Sequence, residues 1–306
     1  MKTSIAVKSG KVHFHTFDSY RFFSFLLVFL HHCPVPKTSF LNLFSHAGGI
    51  GVSFFFVLSG FLITYYLLAE KLGTGTVNLP DFFRRRILRI WPLYYAMALF
   101  AFCTPFILKA LNLAFSSEGY APNWLVTSLF LENYKMMFSG SFPNVSPLRV
   151  MWSLCIEEHF YIFWGLAFYI IPLKRIPKFL TLLIISAPLV RFVYRFWNID
   201  TLDLPSNVDY FAFGAVPAYI FVQKKQWLAR LENIGVIYKY AFAIIAFAAI
   251  FVLSNLKIDT PLTPTFLALI FTVLILITLG KKNAFRISDR SIWARMGKYT
   301  YGLYLF

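Results

Sequence analysis

The sequence predicts an all-α membrane protein, a bundle of about ten transmembrane helices. Long apolar runs recur along its 306 residues, 58% of the residues are hydrophobic, and only 14% are charged. The 29 lysines and arginines outnumber 13 acidic residues and concentrate in short gaps between these runs. Such gaps are typical of cytoplasmic loops between membrane spans. The basic excess therefore indicates membrane lipids as partners, and nucleic acid is not expected as one.

The cysteines indicate neither a disulfide framework nor a metal site. Cys33, Cys103 and Cys155 are isolated, and none has the Cys/His spacing of a zinc ligand set. No metal is therefore expected. The sequence shows no internal repeat, low-complexity tract or second domain, so we expect residues 1–306 to form a single transmembrane domain.

Apolar runs separated by basic gaps place the predicted spans in order along the chain. Alternation of more basic and less basic gaps makes successive helices cross in opposite directions. The run at 124–131 is short, which predicts an interfacial or re-entrant helix in an external segment. The predicted spans are residues 17–32, 48–68, 91–108, 148–171, 179–196, 210–222, 238–253, 262–279 and the start of a last one at 299–306.

The two ends of the chain carry further expectations. Lys2, Lys8 and Lys11 place the N-terminus of this multi-pass protein on the cytoplasmic side of the inner (plasma) membrane. The last run, 299–306, reaches only about 12 Å at the helical rise, which is too short to cross a bilayer. We therefore expect an incomplete last helix and a native chain that continues past Phe306. A non-catalytic fragment is one alternative.

Three ionisable residues share one face of the first predicted helix. Arg21 and His32 are eleven positions apart, which is three turns and roughly 16 Å, and Asp18 precedes Arg21 by three. Such a stripe on an apolar helix must face a polar cavity and so indicates a functional site. The alternative is that Asp18 and Arg21 mark the helix start in the headgroup layer, with His32 at the other interface.

Four local motifs occur in a fixed order. They are FDSYR with His32 eleven positions after Arg21, GVSFFFVLSGFLIT, FRRRILRIWPLYY and MWSLCIEEHFY. Together they resemble the acyltransferase-3 family of membrane-bound O-acyltransferases over residues 17–306, and the terminal GKYTYGLYLF resembles the start of that family's last helix. The resemblance implies a ten-helix bundle that takes acyl groups from cytoplasmic acyl-CoA, often acetyl-CoA. The implied acceptors are hydroxyls of envelope glycans, lipopolysaccharide, peptidoglycan, lipid-linked glycans or secreted glycosides.

The first motif supplies a base for acyl transfer to a hydroxyl. Neutral imidazole suits that role near pH 7, and His32 matches the family's Arg-x10-His motif. Asp18 and Arg21 can pair at i,i+3 and order the cytoplasmic end of the catalytic stripe, although a purely structural pair is an alternative. His31 points about 100° away from His32 and matches nothing in the family motif.

The arginine-rich motif offers a donor site. Arg86 and Arg89 match the family's Arg-x-x-Arg motif, and their spacing sets two guanidiniums on one helix face. A guanidinium binds phosphate oxygens bidentately, and coenzyme A carries a pyrophosphate and a 3′-phosphate. For Arg84 and Arg85 we prefer the interpretation of an anchor that faces anionic lipid.

The MWSLCIEEHFY motif places carboxylates inside a membrane span. Ser153, Glu157 and Tyr161 share one helix face, so we assign Glu157 to the catalytic site. Ser153, Tyr161 and Trp152 are the expected substrate-lining residues. Glu158 points elsewhere and is expected to be structural.

Three other motif residues, His159, Gly60 and Ser59, have different expected roles. His159 stands where the family commonly has a glutamine, and a local hydrogen-bonding role is preferred for it. In FFFVLSGFLIT, Gly60 is expected to permit close helix packing, and Ser59 is a candidate lining residue.

Two mechanisms and two classes of protein remain open at this point. In the favoured mechanism His32 deprotonates the acceptor hydroxyl, which attacks the thioester directly. A covalent acyl-enzyme is the alternative, but no Ser or Cys stands beside a base with the signature of a nucleophile. The rival class is a transporter or flippase for a lipid-linked or small polar substrate, because intramembrane charges also mark substrate pathways. Transporters often contain structural repeats, which this sequence lacks, and the motif order favours the enzyme.

Overall fold

The structure, a computed structural model, consists of α-helices joined by loops and short 3-10 turns. It describes residues 14–36, 38–113, 118–256, 258–280, 287–288, 290–300 and 302. These ranges contain no β-strand and a single isolated bridge, between Tyr120 and Pro143, so the all-α prediction is confirmed. The three N-terminal lysines and most of the predicted helix at 299–306 lie outside the described residues.

Long helices alternate with short connecting ones along the chain. In chain order the helices are α1 His15–His32, α2 Asn42–Ser45, α3 Gly48–Thr74, α4 Leu79–Ala110, α5 Trp124–Ser128, α6 Glu132–Ser139, α7 Trp152–Ile170, α8 Ile176–Phe196, α9 Leu204–Gln223, α10 Lys225–Glu232, α11 Val236–Asn255, α12 Thr263–Leu276 and α13 Ile292–Gly297. The 3-10 turns Ser146–Val150 and Leu173–Arg175 precede α7 and α8.

Four of the described helices are long and apolar enough to cross a membrane, so the predicted count of about ten spans is not confirmed. These four are α3, α4, α11 and the segment Leu173–Phe196, which includes α8. Helices α1, α7 and α9 have 18 to 20 residues but carry ionisable side chains, among them Arg21, Glu157 and Asp209. Those side chains lower the mean hydropathy of helices that are otherwise rich in aromatic and aliphatic residues.

Helix α4 begins well before the predicted span at 91–108. Asn78 caps its first turn, since the side-chain oxygen accepts a hydrogen bond from the backbone N–H of Asp81 at 3.2 Å, and Pro80 occupies an early position where no amide donor is needed. The arginines therefore lie on the first turns of a 32-residue helix and not in a loop between spans. Arginine has a high helix propensity, which favours this extension.

Helix α3 packs against α9 at the centre of the bundle. A Cβ atom on Gly60 would overlap the backbone oxygen of Phe211, and one on Gly214 would overlap that of Val57. The expected role of Gly60 in close helix packing is therefore confirmed. Phe160 of α7 stacks on Phe211 with 3.9 Å between ring centroids, which adds the third helix to this core.

A buried ion pair connects α8, α9 and α12. Arg191 and Asp209 form two hydrogen bonds of 3.0 and 2.7 Å, and their side chains are 4% and 0% exposed. The guanidinium also donates to the backbone oxygens of Ser206 and Pro261 and to the Thr265 hydroxyl. All five N–H groups of Arg191 thus have an acceptor. The guanidinium is therefore buried without leaving an unsatisfied donor.

Lys71 of the neighbouring helix α3 caps the C-terminal end of α7. Its ammonium group donates to the backbone oxygens of Phe168, Tyr169 and Ile171, at 2.5, 3.1 and 2.8 Å. These carbonyls have no partner within their own helix, and a cation at a helix C-terminus is also favoured by the helix dipole. Lys71 follows the predicted span 48–68, in a gap expected to be a loop, whereas the structure buries it on α3 at a helix–helix contact.

Candidate active site

A cavity of about 320 Å³ lies between α1, α3, α4, α7 and the residues that follow α13. Aromatic and aliphatic side chains form much of its wall. The polar residues that line it are Asp18, Arg21, Ser59, Tyr66, Arg86, Arg89, Ser153, Glu157, Tyr161, Lys298 and Thr300. Residues of all four sequence motifs therefore line one cavity, although His32 does not.

Helix α1 contributes an ion pair to the cavity wall. Arg21 donates to the Asp18 carboxylate at 2.7 Å, as the i,i+3 spacing predicted. Both side chains are mostly buried and both line the cavity. The Asp18 backbone touches Gly297 so closely that a Cβ there would overlap its oxygen. The α13 end therefore closes the cavity beside this pair.

Helix α4 contributes two arginines and separates them from their neighbours. Arg86 and Arg89 line the cavity, whereas Arg84 pairs with Asp81 at 2.9 Å and Arg85 lies 4.0 Å from Glu70, both on the exposed side. The Arg86 guanidinium lies over the Tyr161 ring, 5.7 Å from its centroid. In the described part of the chain its buried Nε has no hydrogen-bond partner. It can therefore donate to an anionic ligand.

Helix α7 contributes a carboxylate that two side chains hold in place. The Ser59 hydroxyl donates to Glu157 Oε1 at 3.1 Å, and the Tyr161 hydroxyl donates to Oε2 at 2.9 Å. Both oxygens of Glu157 are thus engaged, which fixes the carboxylate plane against the cavity. Ser153 also lines the cavity and donates to the Val150 backbone oxygen at 3.3 Å.

The contact of Ser59 with Glu157 corrects one expectation. The sequence showed no serine beside a base, because the two residues are 98 positions apart and lie on different helices. Elsewhere on α3 the Ser53 hydroxyl donates back to the Gly49 carbonyl of its own helix, at 3.0 Å. Ser59 instead donates across the cavity wall, so a hydroxyl and a carboxylate do meet here.

Two of the predicted site residues lie outside the cavity lining. His32 ends α1 and is exposed, about 16 Å beyond Arg21 at the helical rise, with the His31 ring 5.1 Å away. His31 Nδ1 lies 2.7 Å from the Ser45 backbone oxygen, which anchors the helix end. Trp152 packs edge-on against Phe56, with 6.5 Å between ring centroids.

Two ionisable residues of the α7 motif, Glu158 and His159, make their contacts outside the cavity. Glu158 accepts a hydrogen bond from the Trp91 indole at 3.2 Å, and the His159 ring packs on Tyr134 with 5.4 Å between centroids. Neither belongs to the cavity lining. Across the residues that the structure describes, no cluster of histidine, cysteine and carboxylate side chains could hold a metal ion.

Comparison with known proteins identifies the family. The family model for the acyltransferase-3 group, described as an acyltransferase domain, matches residues 14–306. The chain belongs to the acyltransferase-3 family. No solved structure matches it.

Bacterial O-acetyltransferases are among the proteins that this acyltransferase-3 protein resembles in sequence. The chain is 37% identical over 155 residues to the peptidoglycan O-acetyltransferase OatA of Listeria monocytogenes. The aligned region covers 48% of this chain and 24% of the relative. The putative peptidoglycan O-acetyltransferase YrhL of Bacillus subtilis is also 37% identical over 155 residues, 48% of this chain and 22% of the relative. A putative O-acetyltransferase of Staphylococcus aureus is 31% identical over 163 residues, 51% of this chain and 24% of the relative. The matches therefore span less than a quarter of each relative's length.

Sequence reasoning missed some contributors to the site of this family member. Lys298 and Thr300 line the cavity, although they follow Asp18 by 280 and 282 residues in the sequence, where the pattern predicts a basic gap and the start of a last helix. Only helix packing brings them there. Their signal in the sequence was the GKYTYGLYLF motif, which indicated the family but no role for the lysine.

Proposed function

We propose that this acyltransferase-3 protein is an integral membrane O-acetyltransferase. It takes an acyl group, in our proposal acetyl, from cytoplasmic acetyl-CoA and transfers it to a hydroxyl of an envelope glycan, lipopolysaccharide or secreted glycoside. The observation that carries the proposal is the meeting of Arg86, Arg89 and Glu157 in one cavity, where cations can bind phosphate beside a fixed carboxylate. The peptidoglycan O-acetyltransferase names of the relatives favour a cell-wall glycan as acceptor.

The cavity fits the reactive part of an acyl-CoA. Its apolar wall suits a pantetheine arm, and its volume is smaller than that of the whole coenzyme. The nucleotide would therefore remain at the mouth, where Arg89 is exposed. Arg86 lies deeper, half-buried against Tyr161, and would bind the pyrophosphate with its free Nε. The acyl thioester would then approach Ser59 and Glu157.

His32 is the proposed base for the acceptor. Its exposed position at the end of α1, three turns from Arg21, suits a hydroxyl that arrives from the side of the membrane opposite the donor. Asp18 and Arg21 order the donor end of the same helix. Because His32 lies outside the cavity lining and an acetyl group has only two carbons, direct transfer requires the pantetheine arm to carry the thioester past Ser59 and Glu157 to the His32 end of α1.

The covalent route now has a candidate nucleophile. Ser59 donates to Glu157 at a distance that permits proton transfer, in the cavity where the thioester would lie. We retain direct attack as the proposed route, since the acceptor hydroxyl then needs only the imidazole of His32 as base.

The test uses the purified protein in sealed liposomes. Acetyl-labelled acetyl-CoA is supplied on one side and cell-wall glycan of the source organism on the other, and hydroxylamine-labile ester on the glycan is measured. We expect ester to form only when both substrates are present. Label that crosses the membrane as a free molecule, with no ester on any glycan, would instead identify a transporter and contradict the proposal.

A further inference from the structure

We propose that Lys298 binds the 3′-phosphate of the acyl-CoA donor at the mouth of the cavity, next to the pyrophosphate contacts of Arg86 and Arg89. The assignment rests on the proposed function and deepens it. In this proposal residues 291–300 form one wall of the donor site, and Lys298 determines donor specificity.

The segment 291–300 is firmly packed onto α1. Ser291 caps α13 by accepting a hydrogen bond from the Ala294 backbone N–H at 3.2 Å, and the Trp293 ring packs on Phe22, with 5.4 Å between centroids. Gly297 meets the Asp18 backbone at a distance that leaves no room for a side chain. Lys298 therefore starts from a backbone position fixed against the ion-paired end of α1.

The next residues keep that backbone in place. The Thr300 hydroxyl donates to the Gly297 backbone oxygen at 2.8 Å, and Thr300 is buried in the cavity wall. Lys298, between these two anchored residues, is exposed and yet lines the cavity. An exposed side chain on a fixed backbone at a cavity rim is suited to a ligand group that remains partly in water.

The charges of the cavity favour a polyanionic ligand. Four basic side chains line it, those of Arg21, Arg86, Arg89 and Lys298, against the carboxylates of Asp18 and Glu157. Arg21 is already paired with Asp18. The formal excess of two positive charges therefore lies on the α4 and α13 sides, where the phosphates of coenzyme A would enter.

Arg86 and Lys298 lie at different depths in the cavity, and this difference assigns a different phosphate group of coenzyme A to each of them. Arg86 is half-buried and lies over Tyr161, whose hydroxyl contacts Glu157, so it faces the part of the donor nearest the thioester. Along coenzyme A the pyrophosphate follows the pantetheine arm, and the ribose 3′-phosphate lies farther out. Lys298, exposed at the rim, matches the outer group, and an ammonium suits a phosphomonoester because it acts as a point charge with three donors.

The test compares coenzyme A with 3′-dephospho-coenzyme A as calorimetric ligands of the purified full chain. The variants are Lys298→Ala, Lys298→Arg and the control Arg295→Ala, which removes an exposed cation of α13 that does not line the cavity. We expect Lys298→Ala to weaken coenzyme A binding roughly fivefold to tenfold, a modest loss because the contact is exposed. The same variant should bind the dephospho ligand as the wild type does.

Each further outcome decides the proposal. Restored affinity in Lys298→Arg and unchanged affinity in Arg295→Ala would support it, as would a loss that shrinks with added salt. Equal weakening of both ligands in Lys298→Ala, or no weakening of either, would overturn the 3′-phosphate assignment while leaving the donor cavity intact. Failure of the wild type to bind either ligand would instead remove the proposed function, and this inference with it.

Discussion

At the scale of single residues, the hydrogen bonds of Glu157 organise the cavity. Ser59 and Tyr161 engage one carboxylate oxygen each, from α3 and from the next turn of α7. Arg86 lies over the same Tyr161 ring, so the proposed phosphate site and the carboxylate share one side chain. A substitution at Tyr161 should therefore disturb both donor binding and the position of Glu157.

His32→Ala should abolish acyl transfer while the protein still inserts and folds. The change removes the proposed base but little packing, because His32 is exposed at the end of α1. Transfer of labelled acetyl to glycan by the purified variant is the measurement. His31→Ala is the matched control and should retain most activity, although it loses the contact with the Ser45 carbonyl. Equal losses in the two variants would count against His32 as the base.

Arg86→Ala should raise the KM for acetyl-CoA more than Arg84→Ala does. Loss of one charge-assisted phosphate contact corresponds to about 1.5–3 kcal/mol, roughly tenfold to 150-fold in affinity. Arg89→Ala should have a smaller effect of the same sign, because that side chain is exposed. Arg84 pairs with Asp81 outside the cavity and serves as the control. If Arg86→Ala, Arg89→Ala double variants bind coenzyme A like the wild type, the donor site lies elsewhere.

Ser59→Ala distinguishes direct transfer from the covalent route. Under direct transfer we expect reduced but measurable turnover, since Glu157 loses one of its two partners and keeps Tyr161. Wild-type protein is incubated with acetyl-CoA and quenched, and mass spectrometry should then show no acetylated serine. Ser53→Ala is the control, because that hydroxyl donates within its own helix. An acetyl ester mapped to Ser59, with complete inactivity of Ser59→Ala, would establish the covalent route instead.

At the scale of helices, polar contacts fix positions that apolar packing leaves adjustable. Lys71 joins α3 to the end of α7, and the Arg191–Asp209 pair joins α8 to α9 and α12. Between α4 and α7, buried Glu132 at the start of α6 accepts hydrogen bonds from the hydroxyls of Tyr120 and Thr127. Burial raises the pKa of Tyr120, and its hydrogen bond to the carboxylate raises it further, so this phenol stays protonated and keeps donating.

Arg191→Leu should destabilise the bundle without changing the cavity. Removal of the guanidinium leaves Asp209 buried and deprived of its cation, a change that typically costs about 3–5 kcal/mol. The thermal midpoint in detergent should fall, while coenzyme A affinity of the folded fraction stays at the wild-type value. Arg195→Ala, which loses one exposed contact with the Asp259 carbonyl, is the control and should change the midpoint little. A midpoint unchanged in Arg191→Leu would contradict this account of the ion pair.

At the scale of the whole molecule, the proposed donor site and the proposed base lie at opposite ends of α1. The cavity lies near the start of α1 and α4 and the end of α13, and His32 lies at the opposite end of α1. The proposed orientation places the donor end in the cytoplasm. Cys33, directly after His32, is a free thiol that reports on the other side.

A membrane-impermeant maleimide added to intact cells should label Cys33. The thiol is partly exposed just beyond the end of α1, on the proposed external side, whereas Cys155 is fully buried and should not react. The labelled peptide is identified by mass spectrometry, which separates Cys33 from the exposed Cys103, and Cys33→Ser should lose the label at position 33. Labelling of Cys33 only after the cells are permeabilised would reverse the proposed orientation.

The amino-acid sequence alone was enough to predict the helical class, the family and eight of the eleven polar side chains that line the cavity in the described part of the chain. The resemblance to the acyltransferase-3 motifs singled out Asp18, Arg21, Ser59, Arg86, Arg89, Ser153, Glu157 and Tyr161. For all but Ser59, helical spacings of three and four then placed the paired side chains on one face. Local periodicity also explains the positions of most predicted helices, although polar side chains turned inward made the number of spans uncertain.

Which helix faces meet became known from the three-dimensional structure. It brought Ser59 to Glu157 and Lys298 to the arginines of α4, and it left His32 and Trp152 outside the cavity lining. It also paired Arg191 with Asp209, which the sequence did not connect. The physical reason is that periodicity specifies the face on which a side chain lies, whereas the partner of that face depends on close helix packing at sites such as Gly60, Gly214 and Gly297.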